Sequence, residues 1–323
     1  MYVLELAGQD DRFAAYEARS GASDVSMLAP GLATARAISG VAQLAFTHRA
    51  GRLLGRGDPT VEDARAILRA ARLEREGSVA VRAVDVRSTT GVDTQAVERA
   101  LGNILVERGF AVDLEDPDHE LRALFSAGDA GAVCALGWLA AESTRDFTAR
   151  KPSDRPFFQP GSMDPMLARA LVNVAGAGPD ARILDPMCGT GGLLIEAGLV
   201  GAAVVGADVQ PKMLRGSGEN LAAFLDGGWA LVRGSADALA LTEDSVDGVV
   251  FDTPYGRQSK IEGELETLVA DALGEARRVA PRCVVVGDRS WESQARSAGW
   301  TVDAAFERRV HKSLTRHVLV LVE

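Results

Sequence analysis

Hydrophobic and polar positions follow two different rhythms along this chain, and the change falls near residue 145. Before it, strand-like alternation and helical periodicity are interleaved without a regular order. Residues 2–7 (YVLELA) and 79–86 (VAVRAVDV) read as strands, the second with clear alternation. Thr60 is placed to cap a helix, with Pro59 before it and Asp63 three residues on, and Ala64, Ile67, Leu68 and Ala71 then share one face. Asp93 or Thr94 opens a second helix, with Val97, Leu101, Ile104 and Leu105 turned inward and Gly109 as its stop. The stretches 110–116, 120–127 and 132–140 predict a strand-rich finish. This half is α+β and carries no catalytic motif.

Residues 145–162 (RDFTARKPSDRPFFQPGS) lack periodicity and read as a linker. From Asp164-Pro165 an N-capped helix begins, with Leu167, Leu171 and Val172 on one side. Strand and helix then alternate regularly, through ARILDP, a helix after Gly192, AVVGAD, a helix around 215–225, ALVRGS, DGVVFD, a helix over 264–279, and RCVVVGD. Such alternation predicts an α/β fold with a doubly wound, mostly parallel sheet that takes its ligands at the carboxyl ends of the strands. TVDAAFERRV and RHVLVLVE read as a terminal antiparallel hairpin added to the sheet edge.

Composition narrows the setting more than the function. The 323 residues are 47% hydrophobic and 25% charged, as in a globular protein. No apolar run reaches membrane-spanning length, and MYVLELAGQDD lacks a basic leader segment, so neither a membrane nor secretion is expected. Three widely spaced cysteines (Cys134, Cys188, Cys283) point to a reducing cytoplasm instead of a disulfide framework or zinc site. His48 and His119 give no reason to expect metal. The net charge of −10 is opposite to that of most nucleic-acid proteins, but only Lys151, Lys212, Lys260 and Lys312 among 35 basic residues are lysines. Low lysine with excess acid marks a proteome adapted to high salt or rich in G+C codons. The placement of arginine is then more informative than the total, because salt screens distant charges.

Four signals fall at four successive strand ends. DPMCGTGG (185–192) follows the strand RILD. Its glycines permit a sharp turn and close backbone approach, and the helix after it aims its N-terminus at an anionic ligand group. Asp208 ends the second strand, where an acid accepts hydrogen bonds from ribose hydroxyls in dehydrogenases and methyltransferases alike. Asp237 follows the third strand, placed to meet an adenine amino group or to cap a helix. Asp252-Thr253-Pro254-Tyr255-Gly256 ends the fourth strand. Its carboxylate can accept from the exocyclic N–H of a base, its tyrosine can stack on a base taken out of its helix, and Pro254 keeps Thr253 extended. A nicotinamide dehydrogenase would use the first two signals but has no need of the fourth.

The 156–323 stretch resembles the class I amino-methyltransferases, whose signature is (D/N)PP(Y/F). The resemblance implies S-adenosylmethionine as cofactor, its methionine part on Asp185 and residues 189–192, its ribose on Asp208 and its adenine on Asp237. Cys188, Gly189, Thr190, Gly191, Gly192, Val209, Ala236 and Asp252 complete the implied cofactor contacts. Asp252, Thr253, Pro254 and Tyr255 form the implied target-amine pocket. Thr253 stands where the family has proline, and serves if that position acts through its carbonyl. More narrowly, RPFFQPGSMDPMLARALVNVAG (155–176), FDTPYGR and RVHKSLTRH resemble the archaeal tRNA (guanine(10)-N2)-methyltransferase family. That family carries an N-terminal THUMP domain, a small α+β RNA-binding fold, which residues 1–145 match in length and character.

The resemblance thus implies a THUMP-containing module over 1–145, a linker over 146–162, a methyltransferase domain over 163–323, and mono- or dimethylguanosine in tRNA as product. Methylation of DNA adenine or cytosine or of ribosomal guanine, and a non-catalytic tRNA-binding subunit, are the alternatives. Asp252 in place of asparagine favours guanine or cytosine amines. Two arginine-rich stretches suit phosphate contacts: Arg145, Arg150, Lys151 and Arg155 in the linker, and Arg308, Arg309, Lys312 and Arg316 in the final hairpin, with Arg257 beside the pocket. A solvated loop explains either stretch equally well. Nothing in the sequence decides on an accessory subunit or self-association.

Overall fold

The computed structural model describes residues 1–8, 10–129, 131–254, 262–311 and 314–323, which form two compact units, Met1–Thr144 and Arg145–Glu323. The first unit is built on an eight-stranded sheet. In spatial order its strands are Ser26–Ala29, Leu32–Ala35, Tyr2–Leu6, Thr47–Gly57, Gly131–Glu142, His119–Gly128, Ser78–Asp85 and Ala111–Val112. Ser78–Asp85 runs parallel to both of its neighbours, and the other pairings are antiparallel. Helices Val61–Ala70 and Thr94–Glu107 lay Ala64, Leu68, Val97, Leu101 and Leu105 against Val81, Leu121, Phe125 and Trp138. Their caps are the expected ones, with Thr60 accepting from the Asp63 amide at 3.1 Å and Asp93 from the Ala96 amide at 3.0 Å. Thr47–Gly57, THRAGRLLGRG, is an eleven-residue strand that its sequence pattern does not announce. Both of its edges are paired, and glycines admit the neighbouring layer, since a Cβ on Gly55 would lie 2.7 Å from the Ile67 side chain.

In the second unit the parallel strands are β1 (Arg182–Asp185), β2 (Ala203–Asp208), β3 (Trp229–Arg233), β4 (Gly248–Asp252) and β5 (Arg282–Gly287). An antiparallel pair follows, β6 (Thr301–His311) and β7 (Leu314–Val322). The helices are α1 (Pro165–Val174), α2 (Gly192–Leu199), α3 (Pro211–Phe224), α4 (Glu262–Val279) and α5 (Glu292–Ser297). The sheet order is β3-β2-β1-β4-β5-β7-β6, so the expected hairpin closes one edge with the last strand inserted beside β5. The core on one sheet face joins Leu184, Val249, Phe251 and Val285 to Val269 and Leu273 of α4 and to Trp291 and Trp300. Strand order reverses between β1 and β4, which opens a crevice at their carboxyl ends.

The segment from Arg145 to the Asp164 cap is packed into this unit through two 3₁₀ turns, Phe147–Arg150 and Pro152–Asp154. Arg150 and Arg155 are therefore not the surface phosphate contacts expected of them. Both are buried, Arg150 against the carboxylate of Glu196 on α2 at 2.8 Å. An Arg-Pro-rich sequence without periodicity folds here because a buried acid on a neighbouring helix holds it. No helix among the described residues is long and apolar enough to cross a membrane.

Candidate active site

β1 ends in Asp185, and the chain climbs through residues 186–191 into α2. The turn needs left-handed backbone at Gly189 (φ +49°) and Gly191 (φ +77°), and a Cβ on Gly191 would lie 2.5 Å from Ser217 Oγ. Three hydrogen bonds fix the loop. Cys188 N–H donates to Ala207 O at 2.9 Å, Gly191 N–H to Cys188 O at 2.7 Å, and Gly189 N–H to Asp208 Oδ2 at 3.1 Å. Asp208 also accepts from Gln210 N–H at 2.8 Å. It anchors the loop and still offers lone pairs to a ligand.

Asn220 of α3, fully buried, belongs to no motif in the sequence. Its amide donates to the carbonyls of Thr190 and Phe157 and accepts from Phe157 N–H, each at 2.9 Å, tying the segment before α1 to the glycine loop. Ser162 and Thr190 share a hydrogen bond at 3.2 Å. A buried amide within a helix, where asparagine is a poor former, is the signal that marks such a residue.

Two adjoining cavities, of about 190 and 220 Å³, share Met187 and Asp252. Gln159, Ser162, Asp185, Cys188, Thr190 and Gly192 line the first. Asp208, Val209, Ser235, Ala236, Pro254 and Leu268 line the second. Asp237 is not among the lining residues. It is exposed on a turn that opens no helix, so the helix cap expected of it is absent, and Ser235 and Ala236 line the cavity. Cys188 is buried, and burial pushes its thiol far up, so it stays protonated.

Asp185 is buried, with Oδ1 accepting from Met187 N–H at 3.1 Å. Burial pushes its carboxyl well above the usual range, opposed by that hydrogen bond and reinforced by the charges of Asp252 and Asp208. A raised carboxyl pKa favours the proton in the fold, so keeping Asp185 ionised at neutral pH costs stability, and this cost disappears as pH falls through its titration. Asp185→Asn is therefore expected to raise the Tm of the cofactor-free protein at neutral pH, with a gain that shrinks in acid. Thermal melts across pH check this, and a gain that grows in acid contradicts it.

β4 delivers Asp252 to the cleft, and Arg316 Nη2 lies 3.7 Å from its Oδ2. Thr253 is buried, and its N–H donates to Val286 O at 2.8 Å, carrying the β4–β5 ladder one residue beyond Asp252. Its hydroxyl accepts from Trp291 Nε1 at 3.3 Å. A proline here loses the amide donor and the hydroxyl together, so Thr253 is a different way of fixing the same turn. Thr253→Pro should destabilise the protein by about 1–3 kcal/mol, because Val286 O and the Trp291 indole lose their partners. Denaturant unfolding reads this, and an unchanged midpoint contradicts it.

Pro254 lines the second cavity, while Tyr255, Arg257 and Lys312 lie outside the described residues. Arg316 is buried on β7 beside Asp252, which corrects its assignment as a surface phosphate contact. Strand pairing turns its side chain toward the strand ends, where a carboxylate is waiting. Arg309 is exposed and Arg308 half-buried on β6. Arg145, with its guanidinium 5.7 Å over the Phe147 ring, and Lys151 are exposed.

This sheet order, with a glycine loop and a strand-end acid around one cleft, defines a class I Rossmann-like methyltransferase. Residues 152–317 match the family described as RMKL-like, methyltransferase domain. A tRNA (guanine(10)-N2)-dimethyltransferase from Methanothermobacter thermautotrophicus is 36% identical over 287 residues, covering 86% of this chain and 83% of that protein. One from Pyrococcus abyssi is 30% identical, covering 86% and 84%. The crystal structure of TrmN from Thermus thermophilus has the same fold at 23% identity, with a TM-score of 0.51 over 100% of this chain and 99% of that one. The chain belongs to the tRNA (guanine(10)-N2)-dimethyltransferase family, and its cofactor is S-adenosylmethionine.

Proposed function

We propose that this protein transfers a methyl group from S-adenosylmethionine to the exocyclic N2 of a guanosine in tRNA, at position 10, giving N2-methyl- and N2,N2-dimethylguanosine. The observation that carries the proposal is Asp252, fixed at the end of β4 and lining both cavities of the cleft, in a chain of this family.

The chain's residues fit the cofactor by the chemistry of their donors and acceptors. Asp185 is a buried acid suited to an ammonium, the first turn of α2 offers amides to a carboxylate, and Asp208 offers lone pairs to ribose hydroxyls. Ala236, Val209 and Pro254 give the adenine apolar walls. The cofactor supplies an electrophilic methyl on sulfur. Asp252 accepts a hydrogen bond from the guanine N2 amine, whose lone pair is otherwise delocalised into the ring. As the bond from N2 to the methyl forms and the bond from the methyl to sulfur breaks, N2 would gain positive charge, which the Asp252 carboxylate stabilises until it takes up the extra proton and passes it to solvent. Thr253, held through Val286 and Trp291, fixes the backbone that carries Asp252.

The N-terminal unit supplies the grip on RNA. Flipping a base out of a helix costs a few kcal/mol, which contacts elsewhere must offset. Among the described residues, Arg145, Lys151 and Arg309 are the exposed basic side chains of the set suited to phosphates. The test is methyl transfer by the purified full chain to tRNA and to duplex DNA side by side. Incorporation into tRNA alone is expected, and incorporation into DNA alone favours a DNA amino-methyltransferase.

A further inference from the structure

Arg316 is 4% exposed, and a buried cation is costly unless an anion is placed beside it. Its neighbour across the hairpin is no help, because Arg316 is in register with Arg308 of β6 and like charges directly opposite disfavour a strand pair. The anion lies on the other side. β5 separates β7 from β4, and its Val286 is in register with Asp252 on one side and Val318 on the other. Arg316, two residues before Val318, therefore shares a sheet face with Asp252. The β5–β7 ladder ends at Gly287 and His317, so Arg316 stands one residue beyond it, at the carboxyl end of β5. From there its Nη2 comes within 3.7 Å of Asp252 Oδ2, with the two side chains 5% and 22% exposed.

Asp252 is in an environment that disfavours its charge. It lines one cavity together with Asp185 and the other together with Asp208, so three carboxylates meet around one cleft. The charges of Asp252 and Asp208 both help to push the Asp185 carboxyl up, and such repulsion acts on each member of a pair. Among the other charged groups at these strand ends, Asp288 after β5 pairs with Arg289 at 3.5 Å, and His317 of β7 lies 3.6 Å from Glu307. Arg316 is the described cation directed at Asp252. A guanidinium stays charged at every pH at which the protein works, so its effect on the carboxylate is constant. At 3.7 Å the contact is an ion pair longer than a hydrogen bond, and the charge of Arg316 counts for more than its fork of donors.

We propose that Arg316 is a positioning residue for methyl transfer, whose buried charge keeps Asp252 ionised and held toward the cleft, ready to accept from the target amine. This rests on the role given to Asp252 under the proposed function. Arg316 acts through that carboxylate and not on the base. Its burial opposite Arg308 weakens the hairpin, and the gain is at the site, where Asp252 retains its charge beside two other acids.

The test measures kcat and KM for tRNA across pH with the full chain, and uses S-adenosylmethionine affinity by calorimetry to show that each variant is folded. Arg316→Gln should lower kcat about tenfold near neutral pH and move the acid limb of the rate upward by about one pH unit, because a carboxylate without its cation takes up a proton at higher pH. The KM for tRNA and the cofactor affinity should stay within about threefold. Arg316→Lys should restore kcat to within about fivefold of the unaltered protein, since the charge is what matters. Arg316→Met, which keeps the apolar stem without the charge, should behave as glutamine does and gives the same reading if the glutamine variant does not fold. In an Asp252→Asn background, Arg316→Gln should change kcat by no more than about twofold, because the group it acts through is already lost. An equal loss in both backgrounds, an acid limb that does not move, or a raised KM for tRNA with kcat unchanged, as a phosphate contact gives, overturns the positioning role. Methyl transfer by Asp252→Asn at the unaltered rate overturns the reading of Asp252 itself, and the role of Arg316 with it.

Discussion

Alanine at position 252 is expected to slow methyl transfer to tRNA by roughly a hundredfold or more, with S-adenosylmethionine affinity changed by no more than about threefold. The guanine N2 amine is a poor nucleophile because its lone pair belongs to the ring system. Charge appears on it only as the new N–C bond forms, and Asp252 is the acid that the parallel sheet brings to that point of the cleft. An interaction made mainly in the transition state lowers turnover without loosening the cofactor. Asp252→Asn keeps the shape and removes the charge, so it should lie nearer alanine than wild type. Single-turnover rates and calorimetry on the same preparations check this, and near-normal turnover in either variant contradicts the assigned role.

Removal of the N-terminal unit is the second large effect. A fragment of residues 145–323 retains the whole seven-stranded sheet, its core and the Arg150–Glu196 pair. It should therefore fold and bind S-adenosylmethionine as the full chain does. Its methylation of tRNA at low substrate concentration should fall by about a hundredfold, equivalent to roughly 2.7 kcal/mol of lost binding. What is lost is recognition of RNA shape and backbone, which a single flipped base in a cleft does not provide. The fragment must begin at 145, since Arg150 and Arg155 are buried within the catalytic unit. A fragment that modifies tRNA as fast and as selectively as the full chain contradicts this division of labour.

The catalytic half was legible because its chemistry and its topology are both local in sequence. Each strand of a parallel sheet ends in the loop that carries its ligand group, so Asp185, Asp208 and Asp252 stand one per strand end in chain order. Structure departs from sequence pattern where tertiary contacts decide. Arg150 and Arg155 look like surface arginines until Glu196, 46 residues after Arg150, appears on the facing helix. Arg316 looks like part of a basic hairpin loop until β7 is inserted beside β5, which places it at Asp252. Thr253 looked like a departure from a rigid proline until Val286 and Trp291 supplied its partners. In the first unit the helices Val61–Ala70 and Thr94–Glu107, though not Asp11–Ala18, were legible from their caps. The strand Thr47–Gly57 was not, because pairing on both sides and glycines at the packing contacts remove the alternation that marks a half-buried strand.

Guanosine N2 in tRNA is the central assignment, and nucleoside mass spectrometry tests it most directly. Unmodified tRNA is incubated with the purified chain and S-adenosylmethionine carrying a deuterated methyl group, then digested to nucleosides and to mapped fragments. Label should appear first in N2-methylguanosine and then in N2,N2-dimethylguanosine, both from the single fragment that contains position 10. Label on adenine N6 or cytosine N4, label spread over many guanosines, or no label in tRNA would contradict it.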